Sequence, residues 1–177
     1  MKRILYTIGL FWACAMTQAQ TLLPPVWQGS ADVQYSSRTI AYLPPTRIVW
    51  QETTGSSSIE GIDKLLLPGN GQAELVGGKE CVIRKRPDGK VSFLLDFGRE
   101  LQGGIQIVTG QSSRKEAKVR IRFGESVSEA MCDITPENGA TNDHAIRDFH
   151  FTLPWLGVAE IGNSGFRFVR IDVEEPD

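Results

Sequence analysis

Residues 118–124 read KVRIRFG, with Val119, Ile121 and Phe123 on one side and Lys118, Arg120 and Arg122 on the other. A period of two places side chains on alternate faces of a β-strand, so the run predicts a strand with an apolar core face and a basic, solvated face. QGGIQIVTG (102–110) and RDFHFTLPW (147–155) alternate in the same way. In FRFVRIDV (166–173), Phe166, Phe168, Arg170 and Asp172 share one face, and Arg167, Val169, Ile171 and Val173 the other. This strand is apolar on both sides near its start, which predicts material packed against both.

Turn chemistry separates the runs. CVIRKRPDGKVSFLLDFG (81–98) is two strand-like stretches around Pro87-Asp88-Gly89, a hairpin signal. Pro68-Gly69-Asn70-Gly71 and Gly77-Gly78 mark further turns, and GVAEIGNSG (157–165) turns into the final strand. The Pro-Pro pairs in TLLPPVW and YLPPTRIVW introduce extended segments. No run of a dozen residues keeps helical spacing between caps. About eight to ten short strands are expected, and the fold class is all-β: a jelly-roll-like antiparallel β-sandwich.

The N-terminus follows another pattern. Lys2 and Arg3 precede an apolar run, Ile4 to Met16, too short to span a bilayer, and Thr17-Gln18-Ala19 offers small residues for a signal peptidase. Residues 1–19 are therefore expected to be a signal peptide. Residues 20–79 form an extended segment with the first strands, and 80–177 the sandwich core, the two making one domain. The protein is expected to be exported, to the periplasm or the extracellular space. A lipoprotein cut before Cys14 is the weaker reading, because Trp12 stands where a small aliphatic residue is wanted.

The composition, 41% hydrophobic and 23% charged, is that of a soluble globular protein, and 177 residues suffice for one core. A net charge of −2 gives no electrostatic case for nucleic acid or an anionic membrane, and no membrane span is expected. Cys81 and Cys132 remain after export, and a disulfide and two free thiols are both open.

Catalytic motifs are missing: there is no G-x-S-x-G elbow, P-loop, H-E-x-x-H or dinucleotide fingerprint. His144 and His150 have no cysteine near them in sequence, so zinc is not expected, and His150 reads as a structural hydrogen-bonding residue. Asp133, Glu137, Asn138, Asn142 and Asp143 crowd oxygen donors into one loop; calcium is the minor reading there and plain hydrophilicity the major one. No cofactor is expected. The basic stripe could hold a phosphate or an acidic glycan, against the simpler reading of a solvated face. Trp27, Trp50, Trp155, Tyr35 and Tyr42 could stack on sugar rings or belong to the core.

Three segments, LLDFGRELQGGIQIVTG (94–110), KVRIRFGESVSEA (118–130) and NDHAIRDFHFTLPWLGVAEIGNSGFRFVRIDV (142–173), together resemble the N-terminal β-sandwich region of bacterial (Bacteroidetes-type) α-L-rhamnosidases. The resemblance is carried by Asp96-Phe97-Gly98, Gly103-Gly104, Gly124-Glu125 and Gly165-Phe166-Arg167-Phe168-Val169, in that order. It implies a glycoside hydrolase family acting on terminal α-L-rhamnose, whose catalytic carboxylates lie in an (α/α)6 barrel following the sandwich. No position here matches those motifs, so no catalytic residue is carried over. The sequence ends four residues after Val173, where the family would continue into its barrel. The expectation is thus a fragment: an accessory sandwich lacking its catalytic domain, inactive alone and able to self-associate through an uncovered apolar face. The alternative is a free-standing, exported carbohydrate-binding module for rhamnose-containing glycans. Its candidate site is Asn142, Asp143, His144 and Trp155, the amide and carboxylate gripping vicinal hydroxyls while the indole stacks.

Overall fold

A computed structural model describes residues 40–73, 80–110, 117–135, 137 and 147–174. The expected signal peptide, residues 20–39, and Asn142, Asp143 and His144 lie outside the described residues. Seven strands are present among those described: β1 (Arg47–Thr53), β2 (Ser58–Glu60), β3 (Val82–Arg84), β4 (Val91–Thr109), β5 (Ala117–Gly124), β6 (Asp148–Leu153) and β7 (Gly157–Val173). A 3-10 turn spans Ile62–Leu66, and one short helix, α1, spans Val127–Met131. Five strands form an antiparallel sheet in the order β1-β4-β7-β5-β6, and β2 pairs with β3. The all-β sandwich expected from the alternation is what the chain forms.

Among the described residues the strands are fewer and longer than the turn signals suggest. LLDFG and QGGIQIVTG belong to one 19-residue strand, and GVAEIGNSG runs into FRFVRIDV within one of 17 residues. The glycines taken as turns are instead points where these strands bend. Val91–Asp96 pairs with Phe168–Val173 in the main sheet, and Leu101–Thr109 pairs with Gly157–Phe166 as a distal ribbon, with register breaks between Asp96 and Leu101 and between Gly103 and Ile105.

The bend folds the ribbon over the sheet. Ile105, Ala159 and Ile161 of the ribbon share one core with Phe93, Leu95, Val119, Ile121, Phe123, Val169 and Ile171 of the sheet, and Ile59, Ile62, Leu65 and Ile83 close its side. Gly162 makes the approach possible: its φ is +90°, and a Cβ there would stand 2.7 Å from the Phe123 ring. Phe123 is 1% exposed and meets Phe166 and Phe149 edge-to-face, at 5.0 and 5.8 Å between centroids. Burying such a side chain contributes about 2–3 kcal/mol.

The opposite face of the sheet is covered as well. Leu94, Ala130 and Phe168 form a second cluster, with Trp50 and Met131 packed on it. Ser126 and Glu129 close α1 reciprocally, the Ser126 hydroxyl accepting from the Glu129 amide and the Glu129 carboxylate from the Glu125 amide. The start of the last strand is therefore packed on both sides, as its apolar residues require. Strict alternation breaks there, however. Phe166 belongs to the main core and Phe168 to the second cluster, because the partner strand bulges between Asp96 and Leu101.

Candidate functional site

Two of the four sequence elements that carry the resemblance, Asp96-Phe97-Gly98 and Gly165–Val169, join at one carboxylate, and the other two border Gly165. Asp96 is 1% exposed. Its oxygens accept from Arg167 Nε (2.9 Å) and Nη2 (3.1 Å), from Arg47 Nε (2.9 Å), and from the Gly98 amide (2.7 Å). Phe97 packs edge-to-face on Phe166 at 5.4 Å. Gln102 and Gly103 pair with Gly165 and Ser164. A Cβ on Gly165 would stand 3.2 Å from the Glu125 carboxylate, so the Gly124-Glu125 element closes the same corner. The Arg167 guanidinium, aided by the Gly98 amide and Arg47, holds the Asp96 carboxyl down at about 2 against the cost of burial. Such a carboxylate stays ionised and clasps the strands; a general acid needs the opposite shift.

The basic stripe occupies a second polar centre, on the outer face of the sheet. Cross-strand register aligns Glu52, Ser92, Asp172, Arg120 and His150 in one row, and Trp50, Leu94, Arg170, Arg122 and Asp148 in the next. The expected solvated face is corrected here: Arg122 is only 4% exposed. Its Nη2 donates to Asp172 at 2.8 Å and its Nη1 to Asp133 at 2.9 Å, while the carbonyls of Met131 and Cys132, ending α1, accept from the same Nη1. Arg120 donates to Asp148 at 2.8 Å, and Arg170 to Asp172 at 2.9 Å while lying over the Trp50 ring. Burial works against ionisation of Asp172, but hydrogen bonds from Ser92, Arg122 and Arg170 outweigh it and hold its carboxyl below the ordinary range. The Asp148 carboxylate raises the Arg120 guanidinium above its ordinary value. Ser92, Arg120, Arg122, Asp133, Arg170 and Asp172 line a recess of about 320 Å³. With Asp133, Asp148 and Asp172 opposite three arginines, the stripe has little charge left over for a phosphate or acidic glycan.

Of the candidate set Asn142, Asp143, His144 and Trp155, only Trp155 lies within the described residues. Trp155 lies between β6 and β7 and is 48% exposed. Its turn is fixed by the Thr109 hydroxyl, which donates to the carbonyls of Pro154 (2.9 Å) and Gly157 (3.2 Å). Asp133, one of the candidate calcium donors, pairs with Arg120 and Arg122. His150 Nδ1 lies 2.8 Å from Glu174, the structural contact expected of it. Cys81 and Cys132 are free thiols, and burial pushes the Cys81 thiol up to about 11. Among the described residues no helix is long and apolar enough to cross a membrane.

A further surface escaped the sequence reading. On the outward face of the distal ribbon, the Tyr42 hydroxyl donates to Glu160 Oε1 at 2.9 Å and the Gln106 amide to the same oxygen at 3.1 Å. Beside them the cross-strand pair Val108 and Val158 is exposed. Alternation in QIV and VAE places those four ribbon residues on one face, but nothing local joins Tyr42 to Glu160.

No protein-family model matches the chain, and no curated protein matches it. Among solved structures it is similar to a rhamnosidase from Klebsiella oxytoca with rhamnose bound, at 15% identity and a TM-score of 0.44, over 76% of this chain and 25% of that one. The chain thus spans about a quarter of that structure's length.

Proposed function

We propose that this chain is the accessory β-sandwich of an α-L-rhamnosidase-type glycoside hydrolase, a domain that supports an (α/α)6 catalytic barrel and does not itself cut glycan. The observation that carries this reading is the joining of Asp96-Phe97-Gly98 to Gly165–Val169 through a buried carboxylate, with Gly103 paired to Ser164 and Glu125 set against Gly165. Four short elements spread over some seventy residues thereby become neighbours. The buried carboxylates support a non-catalytic role, since Asp96 and Asp172 are held ionised by arginines rather than poised to donate a proton. Export to the periplasm or beyond belongs to the same reading. The test is hydrolysis of an aryl α-L-rhamnoside by the purified chain: no release above buffer is expected, and steady turnover would overturn the accessory role.

A second reading, an exported carbohydrate-binding module acting alone, is favoured by one observation: Trp155 is half exposed on a turn that hydrogen bonds hold in place. Immobilised rhamnose-bearing oligosaccharide retains the chain on this reading and lets it pass on the first.

A further inference from the structure

Among the described residues, two turns carry an Asn or Asp followed by glycine, a pair that can close a ring on itself, and the fold treats them oppositely. Asn70, Gly71 and Gln72 are all exposed. The Gln72 amide donates to Asn70 Oδ1 at 2.9 Å, closing an Asx turn around Gly71. Gly71, at a φ of +71°, has no side chain to screen its nitrogen. Asp88-Gly89 is locked instead. The Asp88 carboxylate accepts from the Ser56 hydroxyl at 2.8 Å and the Ser56 amide at 3.1 Å, bonds that hold it ionised and below the usual carboxylate range. Gly89 is buried, its amide donates to the Arg86 carbonyl at 3.1 Å, and a Cβ there would stand 2.0 Å from the Thr54 carbonyl oxygen.

We propose that Asn70 is a self-modification site, at which the Gly71 backbone nitrogen attacks Asn70 Cγ and the residue passes through a cyclic succinimide to aspartate and isoaspartate. The Gly71 nitrogen gives its proton to solvent and forms a bond to Cγ. The carbonyl electrons move onto Oδ1, where the Gln72 N–H is already placed to stabilise them. They return as the Cγ–Nδ2 bond breaks, and Nδ2 takes a proton from water and leaves as ammonia. Water then opens the ring at either carbonyl. Scission of the new Cγ–N bond gives aspartate; scission of the original peptide C–N bond gives isoaspartate, with the chain running on through Cγ. Asparagine and water thus yield an acid and ammonia, and water is the only co-reactant. Both products add a negative charge, and isoaspartate also lengthens the backbone by a methylene. The change falls beside the ribbon, since a Cβ on Gly71 would stand 3.6 Å from Gln106 Oε1. At Asp88 the same route fails, because an ionised carboxylate offers no leaving group and the Gly89 nitrogen is held away from it.

The test is incubation of the purified full chain at mildly alkaline pH, followed by tryptic digestion and mass spectrometry. Residues 65–79, LLLPGNGQAELVGGK, form one tryptic peptide, separate from the one that carries Asn138-Gly139. Steady replacement of the Asn70 amide by acid is expected, with isoaspartate detected by isoaspartyl methyltransferase and none formed at Asp88 in the same samples. Gly71→Ala should slow the conversion severalfold, because a methyl group crowds the attacking nitrogen. Asn70→Gln should stop it, because the longer side chain closes its larger ring poorly. Far-UV circular dichroism first checks that both variants keep the fold. An Asn70 that stays intact in the native chain but converts in concentrated urea would overturn the proposal. Conversion to aspartate alone, or at an unchanged rate in Gly71→Ala, would overturn the ring-closing route. Isomerisation of Asp88 as fast as conversion of Asn70 would show that the fold does not distinguish the two turns.

Discussion

Replacing Asp96 with asparagine keeps the shape of the clasp and removes its charge. In the folded chain this carboxyl titrates at about 2, against an ordinary 3.8. The difference is a little under two pH units, which corresponds to about 2 kcal/mol at neutral pH. Asp96 is 1% exposed, but its partners Arg47 and Arg167 are 62% and 37% exposed, so solvent screens part of the attraction. Losing the charge should therefore cost about 2 kcal/mol, below the larger penalties of fully buried pairs. The pH dependence gives the sharper test. A carboxyl whose folded value is depressed contributes all its stability above its unfolded value and loses it as pH falls through the folded one. The difference between the original chain and Asp96→Asn should be constant above about pH 5, shrink from about pH 4, and vanish only below the folded value, at about pH 1. Urea unfolding monitored by tryptophan fluorescence at a series of pH values measures it. A difference below about 0.5 kcal/mol at pH 7, or one that does not shrink with acid, would refute the clasp.

Other substitutions probe the remaining contacts. Arg122→Met should destabilise by about 3 kcal/mol in urea, because Asp172 and the carbonyls of Met131 and Cys132 lose a buried donor; unchanged stability would mean the outer network is dispensable. Gly162→Ala should cost about 2 kcal/mol or more, combining a φ of +90° with a Cβ 2.7 Å from the Phe123 ring, and should lower the thermal midpoint accordingly. In a Cys132→Ser background, alkylation of Cys81 should be slow at pH 8 and accelerate towards pH 11, since burial disfavours its thiolate; rapid labelling of the native chain at pH 8 would contradict that burial.

What the sequence disclosed followed from local periodicity. Val119, Ile121 and Phe123 face the core as their spacing implies, and the double-sided packing of β7 was legible in its apolar residues. Periodicity does not distinguish a glycine that ends a strand from one that bends it, so Gly162, expected in a turn, lies within one long strand. Nor could it foresee that Arg122 would be buried, because its cover comes from α1 and its partner Asp172 is fifty positions away. The Ser126-x-x-Glu129 capping pattern was the available signal for that helix, which is too short to register by periodicity. The resemblance identified Asp96 and Arg167 as members of recurring motifs, but their pairing across seventy-one positions emerged only from the fold.

The proposal that this sandwich belongs to an α-L-rhamnosidase-type hydrolase is tested most directly by reading the genomic DNA after the Asp177 codon in all three frames. The account predicts coding sequence for a helical barrel carrying acidic catalytic motifs. Unrelated coding sequence in every frame would contradict it.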